Sequence, residues 1–261
     1  MFKAKTERLA ELAEKFPYVI QQLNGIFSDA ANVYIDYANV IHWHKQLGWH
    51  VDIKRLKQLL DSFATIKLAR FYSGTLKENE ASLMSGTSGF PMVFSVVDVA
   101  ARNGYQVCTK PVKIMRLSID VSGIPENSPA ILQNFVDKQL LSKMSLEVIA
   151  YLNNYLKSLN AQGVIFIEKR KCNFDVEIGI DILVDHRVAN INTFALWSGD
   201  SDFAGPLAQI MNDGKKAVIF ATARRVSAEL KQLSDQGLFI FDIQKIKEFI
   251  CFAKEMQKGS R

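Results

Sequence analysis

Thr193-Phe194-Ala195-Leu196-Trp197-Ser198-Gly199-Asp200-Ser201-Asp202-Phe203 is the stretch that decides the fold. Its first five residues are apolar, aromatic or β-branched, with no polar alternation. That is the pattern of a strand covered on both faces. Ser198-Gly199 ends the strand, and Asp200, Ser201 and Asp202 are residue types that cap helices. A helix is therefore expected over 201–212, closed by Asp213-Gly214. Onward, the same unit repeats: a strand at 216–220, a helix at 226–233, a strand at 238–241 and a closing helix at 243–256. Strands that alternate with helices imply parallel pairing, because parallel neighbours need a crossover between them.

Working toward the N-terminus, a helix is expected from Asp175. Its apolar residues Val176, Ile178, Ile180, Ile182 and Leu183 do not lie on one stripe, so it should be largely buried. Ala31-Asn-Val-Tyr-Ile-Asp36 reads as a second buried strand. Leu9, Leu12, Ala13 and Phe16 recur at helical spacing, which predicts one amphipathic helix over 5–23. Asp52 is placed to cap a helix through Ile53, Leu56, Leu59 and Leu60. Further strands are expected at 66–72 and 105–109, with a helix at 90–102 closed by Asn103-Gly104. The Gly/Ser-rich segment 74–89 reads as a loop or mobile arm, and 118–130, with Gly123, Pro125 and Pro129, as irregular. Residues 131–159 are expected to be helical in one or two pieces. Together these predict a three-layer, Rossmann-like α/β domain at 31–242, with a mainly parallel central sheet flanked by helices. An insertion falls at about 74–163, a helical extension at 1–30, and a helix and tail at 243–261.

With 261 residues, 48% of them hydrophobic and 23% charged, the chain can bury a sizeable core and is not of disordered or fibrous composition. Cys108, Cys172 and Cys251 are too few and too scattered for a disulfide framework, and no Cys/His spacing suits zinc. No signal-like apolar run opens the chain, and none approaches the roughly 18 apolar residues of a membrane helix. A cytoplasmic protein with no membrane partner is expected. The net charge of +5 is compatible with a polyanionic partner.

In an open parallel sheet, ligands bind beyond the carboxyl ends of the strands where the strand order reverses. Two strands end there in acid: one at Asp36, followed by Asn39, the other at Ser198-Gly-Asp200-Ser-Asp202. Asp175, at the start of its helix, can face the same edge. Clustered carboxylates repel one another, and a divalent cation is the natural compensator. An oxygen-only set suits Mg²⁺ or Mn²⁺ rather than zinc. Plain capping by Asp200 and Asp202, and a turn role for Asp36, are the bland alternatives. Asp181 lies about 240° round the helix from Asp175 at 100° per residue, which leaves it a secondary candidate. Asp185 and Glu177 read as surface or salt-bridge residues. Lys169 and Lys171, just before the acidic helix, and Ser198 and Ser201 could contact phosphate. His42, Trp43, His44, Trp49 and His50 read as packing aromatics and surface histidines, with base stacking as the alternative.

These motifs resemble those of NYN domains, a branch of the PIN-like nuclease superfamily. Val33-Tyr-Ile-Asp36-Tyr-Ala-Asn39 is similar to the first-strand signature. Lys169-x-Lys171-x-x-x-Asp175-Val176, with Asp181 six residues beyond, is similar to the helix start. Ser198-Gly-Asp200-Ser-Asp202-Phe203 matches the most specific motif, and Gly214-Lys-Lys-Ala-Val218 the strand that follows. Gly104-Tyr-Gln-Val-Cys-Thr-Lys110-Pro-Val-Lys113 is similar to the bacterial form. Cys172-Asn-Phe174 departs from the pattern, where small residues with a Gly are usual. The resemblance spans about 31–242 and implies a PIN-like fold and a metal-dependent ribonuclease. Asp36, Asp175, Asp200 and Asp202 would be its catalytic and metal-binding residues, with Mg²⁺ or Mn²⁺ as cofactor. Water activated by metal would then hydrolyse RNA, and Asn39 would contact a metal-held water or a phosphate. Two other readings stay open. One is a non-catalytic RNA- or partner-binding module on the same fold. The other is a phosphotransferase using Asp36, which is weakened by alanine at position 38. A homo-oligomer is also possible.

Overall fold

The strands that carry the acids are buried throughout. A computed structural model describes residues 1–75, 96–117, 123–163, 167–188, 190–222 and 226–256. Strands β1 (Ala31–Asp36), β2 (Ile66–Thr75), β3 (Gln106–Pro111), β6 (Thr193–Trp197), β7 (Lys216–Ala221) and β8 (Phe239–Asp242) form one six-stranded sheet, while β4 (Lys113–Leu117) and β5 (Ile167–Lys171) pair separately. The sheet order is β3-β2-β1-β6-β7-β8, and every neighbouring pair is parallel. Central β1 and β6 are buried at every residue, as strands covered on both faces are; Asn32 and Asp36 are the polar exceptions in β1. The expected α/β fold is present: an all-parallel sheet flanked by helices.

The main helices are α1 (Glu7–Lys15), α2 (Pro17–Ile26), α3 (Ile53–Leu60), α4 (Val96–Arg102), α5 (Leu146–Ala161), α6 (Asp175–Val188), α7 (Ala204–Asn212) and α8 (Ala228–Ser234). Asp52 caps α3 as expected, accepting from the backbone N–H groups of Lys54 and Arg55. The single helix expected at 5–23 is two. Pro17 opens α2 and holds Phe16 out of helical conformation, since a residue before proline is disfavoured there. The stretch 131–159 is three pieces rather than one or two: a turn at Leu132–Asn134, a short helix at Lys138–Leu141, and α5. Asp137 and Ser145 each cap a new start, accepting from the backbone of Gln139 and Val148. The closing helix is also broken. After Lys247–Ile250 the backbone extends at Cys251, which bridges Val51.

The chain divides into two compact units, one of residues Met1–Pro111 and Cys172–Arg261, the other Val112–Lys171. The insertion expected at 74–163 differs in its bounds, because β3 belongs to the main sheet. Past Thr75, the arm expected at 74–89 lies outside the described residues, and the helix expected at 90–102 is described from Val96. The first unit holds a core on which Trp43, Trp197 and Phe220 stack across the sheet strands; the Trp197 and Phe220 rings lie 5.1 Å apart and are parallel. The second has the antiparallel β4–β5 ribbon, with Lys113 in register with Lys171, Met115 with Lys169 and Arg116 with Glu168. It also has a small cluster around Leu132, Leu141 and Ile149.

Helix α6 corrects the expectation that it is largely buried. Ile178, Ile182 and Asp185 are buried, whereas Val176, Ile180, Val184 and Val188 are exposed. What anchors its inner face is partly polar. Asp185 accepts from Asn32 Nδ2 (2.8 Å), Tyr34 Oη (2.7 Å) and Arg70 (3.0 Å), and Asp181 accepts from Tyr72 Oη (2.7 Å) and pairs with Arg70 (3.1 Å). Burial pushes both tyrosine hydroxyls far above their usual range, and the hydrogen bonds to the two carboxylates add to it. They therefore act as fixed donors. A network of this kind, joining β1 and β2 to α6, holds the helix in one register on the sheet.

Candidate metal centre

The sheet order reverses between β1 and β6, so the crevice at their carboxyl ends is the switch point of the fold. Asp36, the last residue of β1, is only 5% exposed. Its carboxylate accepts from the backbone N–H of Asn39 (3.3 Å) and from the Ser198 hydroxyl (3.1 Å). Burial pushes its carboxyl up, and the charge of Asp200 adds to this, while the two hydrogen bonds oppose it. The Ser198 oxygen also accepts from the backbone N–H of Asp200 (3.3 Å). One buried hydroxyl thus ties the end of β1 to the loop after β6.

Asp200 caps the short turn Ser201–Phe203, accepting from the Asp202 backbone and the Ser201 hydroxyl, both at 3.5 Å. Asp175 opens α6, and its backbone N–H donates to Asn173 Oδ1 (2.9 Å). Asp175, Asp200 and Asp202 each offer an oxygen within 4.8 Å of the others. The Asp175 carboxyl is pushed up to about 6, mainly by burial; Asn173 opposes the shift, while a hydrogen bond to Asp202 and the charges of Asp200 and Asp36 reinforce it. Capping and clustering are thus the same geometry: the turn that Asp200 caps is what brings Asp202 round to Asp175.

The donor set is carboxylate oxygen alone, which fits a hard divalent cation and not a soft one. Burial raises the Asp175 carboxyl first, and the neighbouring carboxylates, which no positive partner offsets in the cluster, raise it further. The three aspartates can therefore hold a metal ion.

The remaining sequence candidates divide. Asn39 is beside Asp36, with its side-chain oxygen accepting from Trp43 Nε1 (2.8 Å). Ser201 borders the cluster. Ser198 is fully buried, so its hydroxyl orients Asp36 rather than reaching a ligand. Asp181 is drawn away to Arg70 and Tyr72. Asp185, read as a surface or salt-bridge residue, is a salt-bridge residue but a buried one. Glu177 pairs with Lys110 at 2.6 Å. Lys169 and Lys171 lie on β5 in the second compact unit. Trp43 and Trp49 are buried, and His44 stacks on His50 at 4.7 Å, so the packing reading of these aromatics holds. Sequence reading missed Arg70: a lone arginine inside a strand gives no signal of the acids it will meet.

An α/β fold with acids gathered at its switch point is the class these features define. Comparison with known families makes it narrower. Residues 119–241 match the family model described as NYN domain, a PIN-like nuclease fold whose members are typically metal-dependent ribonucleases. That span contains Asp175, Asp200 and Asp202; Asp36 and the β1 motif, included in the resemblance at 31–242, fall outside it. Among solved structures, a protein of unknown function from Vibrio parahaemolyticus RIMD 2210633 is similar at 14% identity, covering 82% of this chain and 93% of that one, with a TM-score of 0.46. No curated protein matches. No helix among the described residues is long and apolar enough to cross a membrane.

Proposed function

We propose that this chain is a Mg²⁺- or Mn²⁺-dependent ribonuclease of the cytoplasm, with its catalytic domain at 31–242 and its active site at Asp175, Asp200, Asp202 and Asp36. The supporting observation is the meeting of three aspartate oxygens at the switch point, beside a fourth, buried aspartate. Asp175, Asp200 and Asp202 would hold the cation, which when bound supplies an activated water and neutralises charge on the phosphate. Asp36 is held by Ser198 and Asn39 and fixes the loop that carries Asp200. Burial first, and the charges of Asp200 and Asp36 after it, oppose ionisation of Asp175, so a cation bound there would favour its ionised form.

For RNA, Asn39 presents its amide nitrogen, since its oxygen is engaged by Trp43. Ser201 offers a hydroxyl at the rim. Lys169 and Lys171 are assigned to phosphate contacts that carry no base specificity.

The test is cleavage of labelled single-stranded and structured RNA by the full chain with Mn²⁺, Mg²⁺ or EDTA, beside Asp200→Asn. Cleavage that needs metal and vanishes in the variant is expected. RNA binding without cleavage would favour a binding module on the same fold. Undiminished cleavage by the variant would remove the active-site assignment.

A further inference from the structure

Between β2, β3 and α6 lies a cavity of about 310 Å³. Tyr72, Lys110, Phe174, Glu177, Ile180 and Asp181 line it, all of them in the first compact unit. Tyr72 is in register with Asp36, and Phe174 directly precedes Asp175. The cavity therefore adjoins the aspartate cluster on its β2 side. We propose that it is a guanine subsite, which holds one base of the RNA strand while a phosphate of that strand lies at the metal centre. This deepens the ribonuclease reading and rests on it for any effect on cleavage, though not for base binding itself.

The volume is at the small end of the roughly 300–1,000 Å³ of ligand pockets, which suits a single base. Its walls are mixed as a base requires. Ile180, 54% exposed on α6, and Phe174 supply apolar surface for a ring. Lys110 supplies donors. Its ammonium has three N–H groups, donates one to Glu177 (2.6 Å), and sits 4.7 Å from the centre of the Phe174 ring. Asp181 supplies an acceptor. Tyr72 Oη (2.7 Å) and Arg70 (3.1 Å) both meet its Oδ2, so the carboxylate is held in one orientation and Oδ1 keeps its lone pairs for a ligand.

An ammonium and a fixed carboxylate in one small cavity discriminate among bases by their Watson–Crick edges. Guanine carries an acceptor, O6, beside two adjacent donors, N1–H and N2–H. Those donors point the same way, so one carboxylate oxygen can accept both while Lys110 meets O6. Adenine and cytosine each set their amino group next to a ring nitrogen whose lone pair the carboxylate repels. Uracil has a single N–H between two carbonyl oxygens. The reach is also right. Neighbouring strands are about 4.8 Å apart, so the step from β2 to β1 is one that a nucleotide covers between its base and its own phosphate.

Titration calorimetry of the full chain in EDTA, with the 5′-monophosphates GMP, IMP, XMP and UMP, tests the proposal. All carry the same ribose and phosphate, so differences among them report the base. GMP should bind at least about tenfold more tightly than UMP, and IMP, which lacks the N2 amino group, about fivefold less tightly than GMP. Asp181→Asn has a predictable sense. Tyr72 and Arg70 are donors and draw the amide oxygen, which leaves the amide N–H groups toward the cavity. The variant should lose about tenfold in GMP affinity and come to prefer XMP, whose O2 accepts where guanine donates. Lys110→Met keeps an apolar stem beside Phe174 and should weaken GMP about threefold or more. Circular dichroism and thermal melts establish that each variant is folded. GMP bound no more tightly than UMP, or folded variants that keep the wild-type order of affinities, would overturn the proposal. The two readings fail separately. A chain that selects GMP but cuts no RNA with Mn²⁺ loses the nuclease, whereas one that cuts without preference for guanosine loses the subsite.

Discussion

Replacing Asp175 by asparagine should stabilise the metal-free protein at pH 8, although it removes a residue at the centre of the candidate site. The carboxyl is raised to about 6 in the fold, above the roughly 3.9 of an unfolded aspartate. The protonated form is therefore the one that suits the fold. Its contribution to stability is fully present below about pH 4 and is lost as pH rises through about 6. A fully buried group with such a shift would lose about 3 kcal/mol. Asp175 is substantially solvated, and screening reduces this to about 1 kcal/mol. Asparagine keeps the shape and removes the charge, but gives up about 0.3 kcal/mol or more of favourable interaction with the helix dipole. The net gain at pH 8 is then roughly 0.5 kcal/mol, about 1–2 °C in Tm for a chain of this size. Thermal melts in EDTA at pH 4 and pH 8 read it directly: the variant should gain on wild type as pH rises. With Mn²⁺ the order should reverse, because wild type gains a ligand's binding energy and the variant gains less. A variant less stable than wild type at pH 8 in EDTA, or a difference that does not change with pH, would refute the account of a carboxyl raised by burial and its acidic neighbours.

Three other outcomes are expected. Arg70→Leu strands the buried Asp185 carboxylate and should cost about 3 kcal/mol in urea unfolding; adding Asp185→Asn should recover part of it, and simple additivity would argue against the network. Ser198→Ala removes a buried donor to Asp36 and should cost about 1.5 kcal/mol, with weaker Mn²⁺ binding by calorimetry; unchanged affinity would mean that Asp36 does not support the centre. Gly214→Ala, at φ +74°, should destabilise by about 1 kcal/mol. Gly25→Ala in α2 meets nothing within 4 Å of the added carbon and should stabilise by a few tenths to 1 kcal/mol, so melts of opposite sign are expected.

The main sheet was legible because its central strands are rich in apolar, aromatic and β-branched residues and alternate with helical patterns. The acids were legible because strand ends in parallel sheets collect ligands, whichever side chain happens to be there. β4 and β5 were not legible: Lys113–Leu117 and Ile167–Lys171 carry little apolar alternation, and their pairing across 50 residues leaves no local trace. Burial of α6 was misread for a different reason. Ile178 and Ile180 are identical in propensity and hydropathy, and only the angular position set by Asp185 and Arg70 decides which of them meets the sheet. Ser198 was legible as a polar residue near acid, but its role depends on β1 and β6 being neighbours.

Val112–Lys171 leaves the main unit after β3 and returns just before α6. The free energy of closing such an excursion grows only with the logarithm of its length, about 0.6 kcal/mol for each doubling. An ancestor could therefore lengthen, trim or exchange this segment at slight cost to the sheet. Asp36 and Asp200 would be undisturbed, because the paired strands β1 and β6, tied at their ends by Ser198, set their spacing and not the intervening chain. A fold wired in this way separates two kinds of constraint: the acids at the strand ends are tied to the scaffold, while the excursion between β3 and α6 is free to diversify.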